Sequence, residues 1–405
     1  METMRDHRTR GAKLAYLVVA VVIVVSVSGV ASAAPLYSAD NCTYGTQDSG
    51  AKYLICMPPD GMWNQDLVVY AHGYVAFNEP VAIPEDQLSL PDGTSIPGLI
   101  NALGFAFATT SYCDNGLVVQ EAIEDLKDLV EIFQGIHGQP GHVYLVGASE
   151  GGLNTALAVE QDSGPFSGGL ATCGPVGNFR QQINYYGDVR VLFDHFFPGV
   201  IPGSPVDIPE DVIINWESLY EPAVVAALSA NPHATEQLLA TARVPMNRQN
   251  PEANVASLVQ LLWYNVFATN DAVAKLGGQP YGNRLRIYTG SDNDRRLNRL
   301  VQRFRADPAA IAAIEAGYQT SGDPQVPLVT LHTLKDPIVP YWHETLYNIK
   351  VLAHGNWRMH TNIPTLSYGH CNFTPRQVLL AFGTLVLKVT GSELQNVDSV
   401  LSSVE

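Results

Sequence analysis

One stretch limits the fold more than any other. The apolar run His142-Val143-Tyr144-Leu145-Val146 enters Gly147-Ala148-Ser149-Glu150-Gly151-Gly152 and leaves as the helical stretch Leu153–Gln161. A chain that passes from strand to helix in so few residues must turn sharply, with glycine wherever backbone approaches backbone. The turn lifts the Ser149 side chain clear of a sheet edge. The run before it is short, apolar and bounded, as a buried parallel strand would be. Similar runs occur in Lys52–Met57, Asp66–Gly73 and Leu103–Tyr112. Between them, residues 118–134 repeat with helical period: Val119, Ala122, Ile123, Leu126, Leu129, Val130 and Phe133 share one face. Strand alternating with helix predicts an α/β domain with a mostly parallel central sheet and helices on both faces.

The alternation stops near residue 180 and returns with the strand pattern of Val326–Asp336. Between them lie helical stretches, with one short strand expected at Arg284–Tyr288 and further helix over 295–315. The chain therefore reads as a core of 34–179 and 322–405 interrupted by a mainly helical insertion, 180–321. With 46% hydrophobic and 15% charged residues, the 405-residue chain is not composed like a disordered one. Arg5, Arg8, Arg10 and Lys13 precede an apolar run, Leu14–Val30, that ends in Ala31-Ser32-Ala33. That layout predicts a cleaved signal peptide, 1–33, and a secreted protein, with a retained anchor as the alternative. No later run is apolar for long enough to span a membrane. The net charge of −16 speaks against a nucleic-acid partner, and no stretch is expected to form a compact basic cluster. A neutral or apolar small substrate suits it better. Metal and dinucleotide motifs are missing, so no cofactor is expected. Nothing in the sequence fixes an oligomeric state.

A serine hydroxyl becomes a nucleophile only beside a base, which a carboxylate must orient. In strand–turn–helix serine sites the order along the chain is serine, acid, histidine. Asp336, just past the strand Val326–Leu334, is the candidate acid, ahead of Asp292 and Asp294. His370, in Tyr368-Gly369-His370-Cys371, is the candidate base, with His360 as its nearest competitor. His332 lies inside a strand and reads as a core histidine. Two backbone N–H groups, of Tyr74 after Tyr70-Ala71-His72-Gly73 and of Glu150 after Ser149, are the candidate oxyanion donors. His72 reads as holding that loop.

The set Tyr70–Tyr74, Gly147–Gly152, Leu331–Pro340 and Tyr368–Cys371 resembles the secreted serine hydrolases of the α/β-hydrolase superfamily, close to bacterial esterases and aminopeptidase-type members. The resemblance covers about 50–178 and 322–390. It implies an eight-stranded α/β-hydrolase sheet, a Ser149–His370–Asp336 triad and no metal or organic cofactor. The expected activity is that of a secreted serine carboxylesterase acting on esters with apolar acyl or aromatic groups. The alternatives are a serine aminopeptidase or oligopeptide hydrolase, in which Glu150 or Glu217 would hold a substrate ammonium, and a polyester, thioester or lactone hydrolase.

In this superfamily such an insertion commonly caps the nucleophile. Phe193, Phe196, Phe197 and Trp216 are its candidate substrate-binding residues, with Tyr220, Trp263 and Tyr264 adding to the aromatic density. Of five cysteines, Cys42 and Cys56 flank a turn-rich stretch and could staple a hairpin. Cys371 could tether the His370 loop to a strand end; Cys173 is the favoured partner, with a free Cys371 and pairing to Cys113 as the alternatives.

Overall fold

The computed structural model describes residues 41–161 and 163–404; the leader read at 1–33 lies outside them. Its strands are β1 (Cys42–Thr46), β2 (Lys52–Cys56), β3 (Leu67–Ala71), β4 (Ala106–Thr110), β5 (Val143–Ala148), β6 (Gly168–Thr172), β7 (Leu328–Lys335) and β8 (His360–Tyr368). They form one sheet in the order β1-β2-β4-β3-β5-β6-β7-β8. The β1–β2 and β2–β4 pairs are antiparallel, and every other pair is parallel. Every residue of β3, β4 and β6 is buried, because both faces are covered by helices.

Around the core lie α1 (Ile96–Ala102), α2 (Gln120–His137) and α3 (Glu150–Gln161). The insertion between β6 and β7 holds α4 (Phe179–Phe196), α5 (Glu210–Ile214), α6 (Glu221–Ala230), α7 (Pro232–Ala242), α8 (Pro251–Lys275), α9 (Asp294–Leu300) and α10 (Pro308–Gly317). Then come α11 (Trp342–His354), α12 (Pro375–Thr390) and α13 (Val397–Val404). Leu99 and Ile100 of α1 and Leu379 and Phe382 of α12 pack with Val68, Tyr144 and Leu170 on one sheet face. Leu126 and Leu129 of α2 and Leu153 and Leu157 of α3 pack with Val69 and Leu145 on the other. Strand order, directions and the helical insertion are those of the α/β-hydrolase fold.

Asparagine starts four of the helices. Asn178, Asn231, Asn250 and Asn293 each accept a backbone N–H of the first turn of α4, α7, α8 and α9, and Pro232 and Pro251 follow at a position where a missing N–H costs nothing.

Two elements differ from expectation. β8 is not among the runs read as strands; Pro364 lies within it, and it is the edge strand, where proline is tolerated. The strand expected at Arg284–Tyr288 does not form. The chain turns there instead, with Arg286 N–H donating to Asn283 O at 3.0 Å, and Asn298 accepts from Tyr288 N–H at 2.9 Å.

The substrate-wall reading of the insertion aromatics needs correction. Phe193, Phe197 and Trp216 are buried in the insertion's own core with Leu238 and Leu261, and Phe196 packs against that core. Phe193 is two helical turns beyond Tyr186 on α4, about 10 Å further along the axis, so it serves helix packing instead.

Cys42 and Cys56 face each other in the β1–β2 register and are joined. Cys173 is joined to Cys371, and Cys113 is free.

Candidate active site

Ser149 stands between β5 and α3 with φ 56°, in the left-handed region that side-chain-bearing residues seldom adopt. Its N–H donates to Thr172 O at 2.9 Å. The glycines around it are sterically required. A Cβ on Gly147 would lie 2.0 Å from Gly151 O, and one on Gly151 would lie 2.0 Å from Ala71 O.

His370 follows β8 on the loop to α12. Its Nε2 is 2.9 Å from Ser149 Oγ, and its Nδ1 is 2.7 Å from Asp336 Oδ2. An ionised Asp336 can only accept, so Nδ1 carries the proton and Nε2 is free to accept from Ser149. The loop is tied at several points: Gly369 N–H donates to Lys335 O at 3.2 Å, Thr333 Oγ1 donates to Gly369 O at 2.7 Å, and Cys371 is bonded to Cys173. The structure thus brings Ser149, His370 and Asp336 together. It leaves the competitors elsewhere. His360 opens β8 and faces Thr330 Oγ1 at 3.0 Å, Asp292 faces His233, and Asp294 accepts from Ser291 beside the start of α9.

Asp336 is fully buried just past β7. Its Oδ1 accepts from Ile338 and Val339 N–H at 2.8 and 2.9 Å. Burial alone would raise its pKa, but His370 and His332 outweigh that and hold it down to about 2.

His332 is more than the core histidine the sequence suggested. Its Nε2 donates to Val339 O at 2.7 Å and lies 3.5 Å from Asp336 Oδ2, while Nδ1 is 3.1 Å from Glu344 Oε1. Burial opposes charge on this ring, yet Asp336 and Glu344 raise it to about 10. It is a buried imidazolium between two carboxylates. Glu344 Oε2 accepts from Thr330 and Asn362 at 2.6 and 2.7 Å. Asp336 therefore ends in a satisfied buried network. Glu344 sits eight residues after Asp336, and only the folding of α11 onto the sheet reveals the connection.

The loop after β3 lies against Ser149: a Cβ on Gly73 would be 3.1 Å from Ser149 Cβ. Gln87, which sequence reading missed, clamps it. Gln87 Oε1 accepts from Gly73 N–H at 2.7 Å, and Nε2 donates to Tyr74 O at 3.3 Å. Among the described residues no protein group accepts from the N–H of Tyr74 or of Glu150. His72 Nδ1 donates to Gly73 O at 2.7 Å and its ring stacks on Tyr112; burial lowers its pKa to about 4. It holds the loop as a neutral ring.

Two cavities open at Ser149. The larger, about 420 Å³, descends along the sheet face between Val68, Val146 and Leu170 on one side and Leu99, Leu379 and Phe382 on the other. The smaller, about 80 Å³, is bounded by Phe179, Gln182, Ile183 and Tyr186 of α4 and by Tyr264, Ala268 and Ala272 of α8. Those positions repeat at helical spacing, a signal the sequence held. Ser149, Tyr74 and Tyr264 line both cavities. Of the insertion aromatics singled out in the sequence, Tyr264 alone does so.

Glu150 lines the smaller cavity, but its carboxyl is buried. Burial, with Asp271 nearby, outweighs Lys275 and raises its pKa to about 8. Glu217 is exposed and lines neither cavity.

No family model and no curated relative matches the sequence. Among solved structures, the chain resembles an acylaminoacyl peptidase of Pyrococcus horikoshii at 11% identity and TM-score 0.45, covering 88% of this chain and 43% of that one. It also resembles a Pyrococcus furiosus esterase at 11% identity and TM-score 0.41, covering 89% of each. Candida antarctica lipase A follows at 15% identity and TM-score 0.43, covering 87% of this chain and 77% of the lipase. The chain spans less than half the length of the peptidases it resembles. None of these structures is close enough to carry a substrate across.

Proposed function

We propose that the chain is an exported serine esterase for substrates with apolar acyl or aromatic groups. The observation that carries the reading is the unbroken line Ser149 Oγ–His370 Nε2, 2.9 Å, and His370 Nδ1–Asp336 Oδ2, 2.7 Å, at the wall of a 420 Å³ cavity lined mainly by apolar side chains. His370 takes the Ser149 proton as Oγ attacks the ester carbonyl. The oxyanion forms against the Tyr74 and Glu150 N–H groups, which develop their full strength only there. His370 then hands the proton to the departing alkoxide, leaving an acyl-serine. Water, deprotonated by His370, releases the acid and restores Ser149. Asp336 stays ionised throughout and stabilises the imidazolium.

The peptidase alternative needs an ionised carboxylate facing a substrate ammonium. Glu150 is held largely protonated at neutral pH, and Glu217 is remote from both cavities. Ester hydrolysis requires neither.

A fluorophosphonate should label Ser149 in the metal-free protein, and Ser149→Ala should lose both labelling and hydrolysis of p-nitrophenyl esters. His370→Ala should lower kcat by roughly 10⁴-fold or more, whereas His360→Ala should change it only a few-fold. Full activity in Ser149→Ala, or a reversed order of the two histidines, would end the assignment.

A further inference from the structure

The acidity of the whole chain conceals a local exception, contrary to the expectation of no basic cluster. Between 284 and 305 there are seven arginines against two aspartates, in a chain of net charge −16. Asp292 is engaged by His233, and Asp294 by Ser291 and Gly290. Only Arg286 of the seven forms an ion pair among the described residues, to Asp188 at 3.1 Å. Arg284, Arg295, Arg296, Arg299 and Arg305 are exposed.

The turn that carries Arg284 and the helix α9 that carries Arg295, Arg296 and Arg299 are joined to each other. The turn at Arg284-Leu285 is bound to α9 from beneath. Arg303 donates to Asn283 O and Arg286 O and also to Asn298 O, while Asn298 Nδ2 donates to Tyr288 O at 2.6 Å. Large apolar side chains are exposed on the same two segments. Leu285 is 92% exposed, Ile287 74% and Leu300 55%. Leu285 occupies the tip of a tight turn, a costly place for a leucine that meets only water. The surface is anchored on α4: Asp188 accepts from Tyr281, Tyr288 and Arg286, two residues from Tyr186 in the wall of the smaller cavity.

We propose that the 284–305 surface docks onto an anionic lipid bilayer. Arginines attract acidic headgroups, each adding about fivefold in affinity near the surface. A polyanion such as a nucleic acid would use the charge alone. Leu285, Ile287 and Leu300 favour lipid, because an interfacial surface combines basic residues with apolar ones that enter the acyl boundary.

The test is sedimentation of the full protein with vesicles of phosphatidylcholine alone and with 30% phosphatidylglycerol. Binding is expected only to the anionic vesicles and should weaken as salt rises. The variant Arg284→Gln/Arg295→Gln/Arg299→Gln should bind roughly 100-fold more weakly. Leu285→Ser/Ile287→Ser should lose about tenfold or more. Both variants should keep the wild-type far-UV spectrum and Tm, since the replaced side chains project into water. Equal binding to neutral and anionic vesicles, or undiminished binding by the folded variants, would overturn the proposal. So would heparin binding as tight as vesicle binding together with no effect of Leu285→Ser/Ile287→Ser, which would make the surface one for polyanions.

Discussion

Ser149 is enclosed by two walls built in different ways. The core wall consists of loops at the carboxyl ends of β3, β5, β7 and β8. Its side chains are fixed by directed bonds: Gln87 to Gly73, Asp336 to Ile338 and Val339, His370 to Asp336. The insertion wall consists of faces of α4 and α8; bonds such as Gln182 to Ile338 O and Arg190 to Asn265 anchor the helices, while the surface turned to the site is mostly packed rings. Tyr186 and Tyr264 stack at 5.0 Å, and Tyr74 meets Trp263 and Tyr264 edge-on. A directed bond constrains an atom, so the core wall can place reacting groups. Ring packing constrains a surface, so the insertion can shape a cavity. The comparison also separates aromatic residues that look alike in sequence. Tyr186 and Phe193 share α4, yet one borders the site and the other packs the insertion's interior.

The largest test of this contrast is Phe193→Ala. Removing a fully buried ring should cost about 3–5 kcal/mol of stability, read from denaturant unfolding, while the ranking of acyl chains among p-nitrophenyl esters stays unchanged. Ala268→Trp, on the site face of α8, should do the reverse: modest loss of stability and a clear shift toward smaller substrates. If Phe193→Ala altered the ranking, the division between the two walls would fail.

His332→Gln tests the core wall. It keeps a donor for Val339 O but removes the cation beside Asp336. Asp336 would lose one of the two cations that hold its carboxyl down. At neutral pH kcat should fall about tenfold, equivalent to ~1.4 kcal/mol, with KM little changed. An unchanged kcat would reduce His332 to packing.

The smallest effect concerns Glu150. Its carboxyl binds a proton more tightly in the folded protein, to about pH 8, than an ordinary carboxyl does. Stability should therefore decline as pH rises from about 4.5, the usual carboxylate range, through 8. Glu150→Gln should flatten that slope in a series of Tm measurements. Asp336, held down to about 2, adds stability that disappears only as pH falls through that value. His332, raised to about 10, adds stability that is complete below the usual histidine range and lost as pH climbs through 10. Asp336 acts below most of the Glu150 window, whereas His332 overlaps it from about pH 6.5, so the Glu150 contribution is read as the difference in slope between wild type and Glu150→Gln.

Much of the core was legible because its determinants are local. The strand–turn–helix at Ser149 follows from a few residues and the backbone room that Gly147 and Gly151 leave. The helical period of α2 and the apolar runs of β3 and β5 need no distant partner. Asp336 and His370 could be placed by their order after Ser149 and by their positions at a strand end and in a loop.

What the tertiary structure decided concerns groups that meet only after folding. It chose Cys173 over Cys113 as the partner of Cys371, gave His332 its charge by setting it between Asp336 and Glu344, and brought Gln87 under Gly73. It also set Tyr264 beside Ser149 and Phe193 inside the insertion's core, and left Leu285, Ile287 and Leu300 exposed on the arginine-rich segment 284–305. Backbone sterics and side-chain period act over a few residues and are written in sequence order. Burial, charge and the direction a helix face takes depend on everything packed around a group, and that neighbourhood exists only in the folded chain.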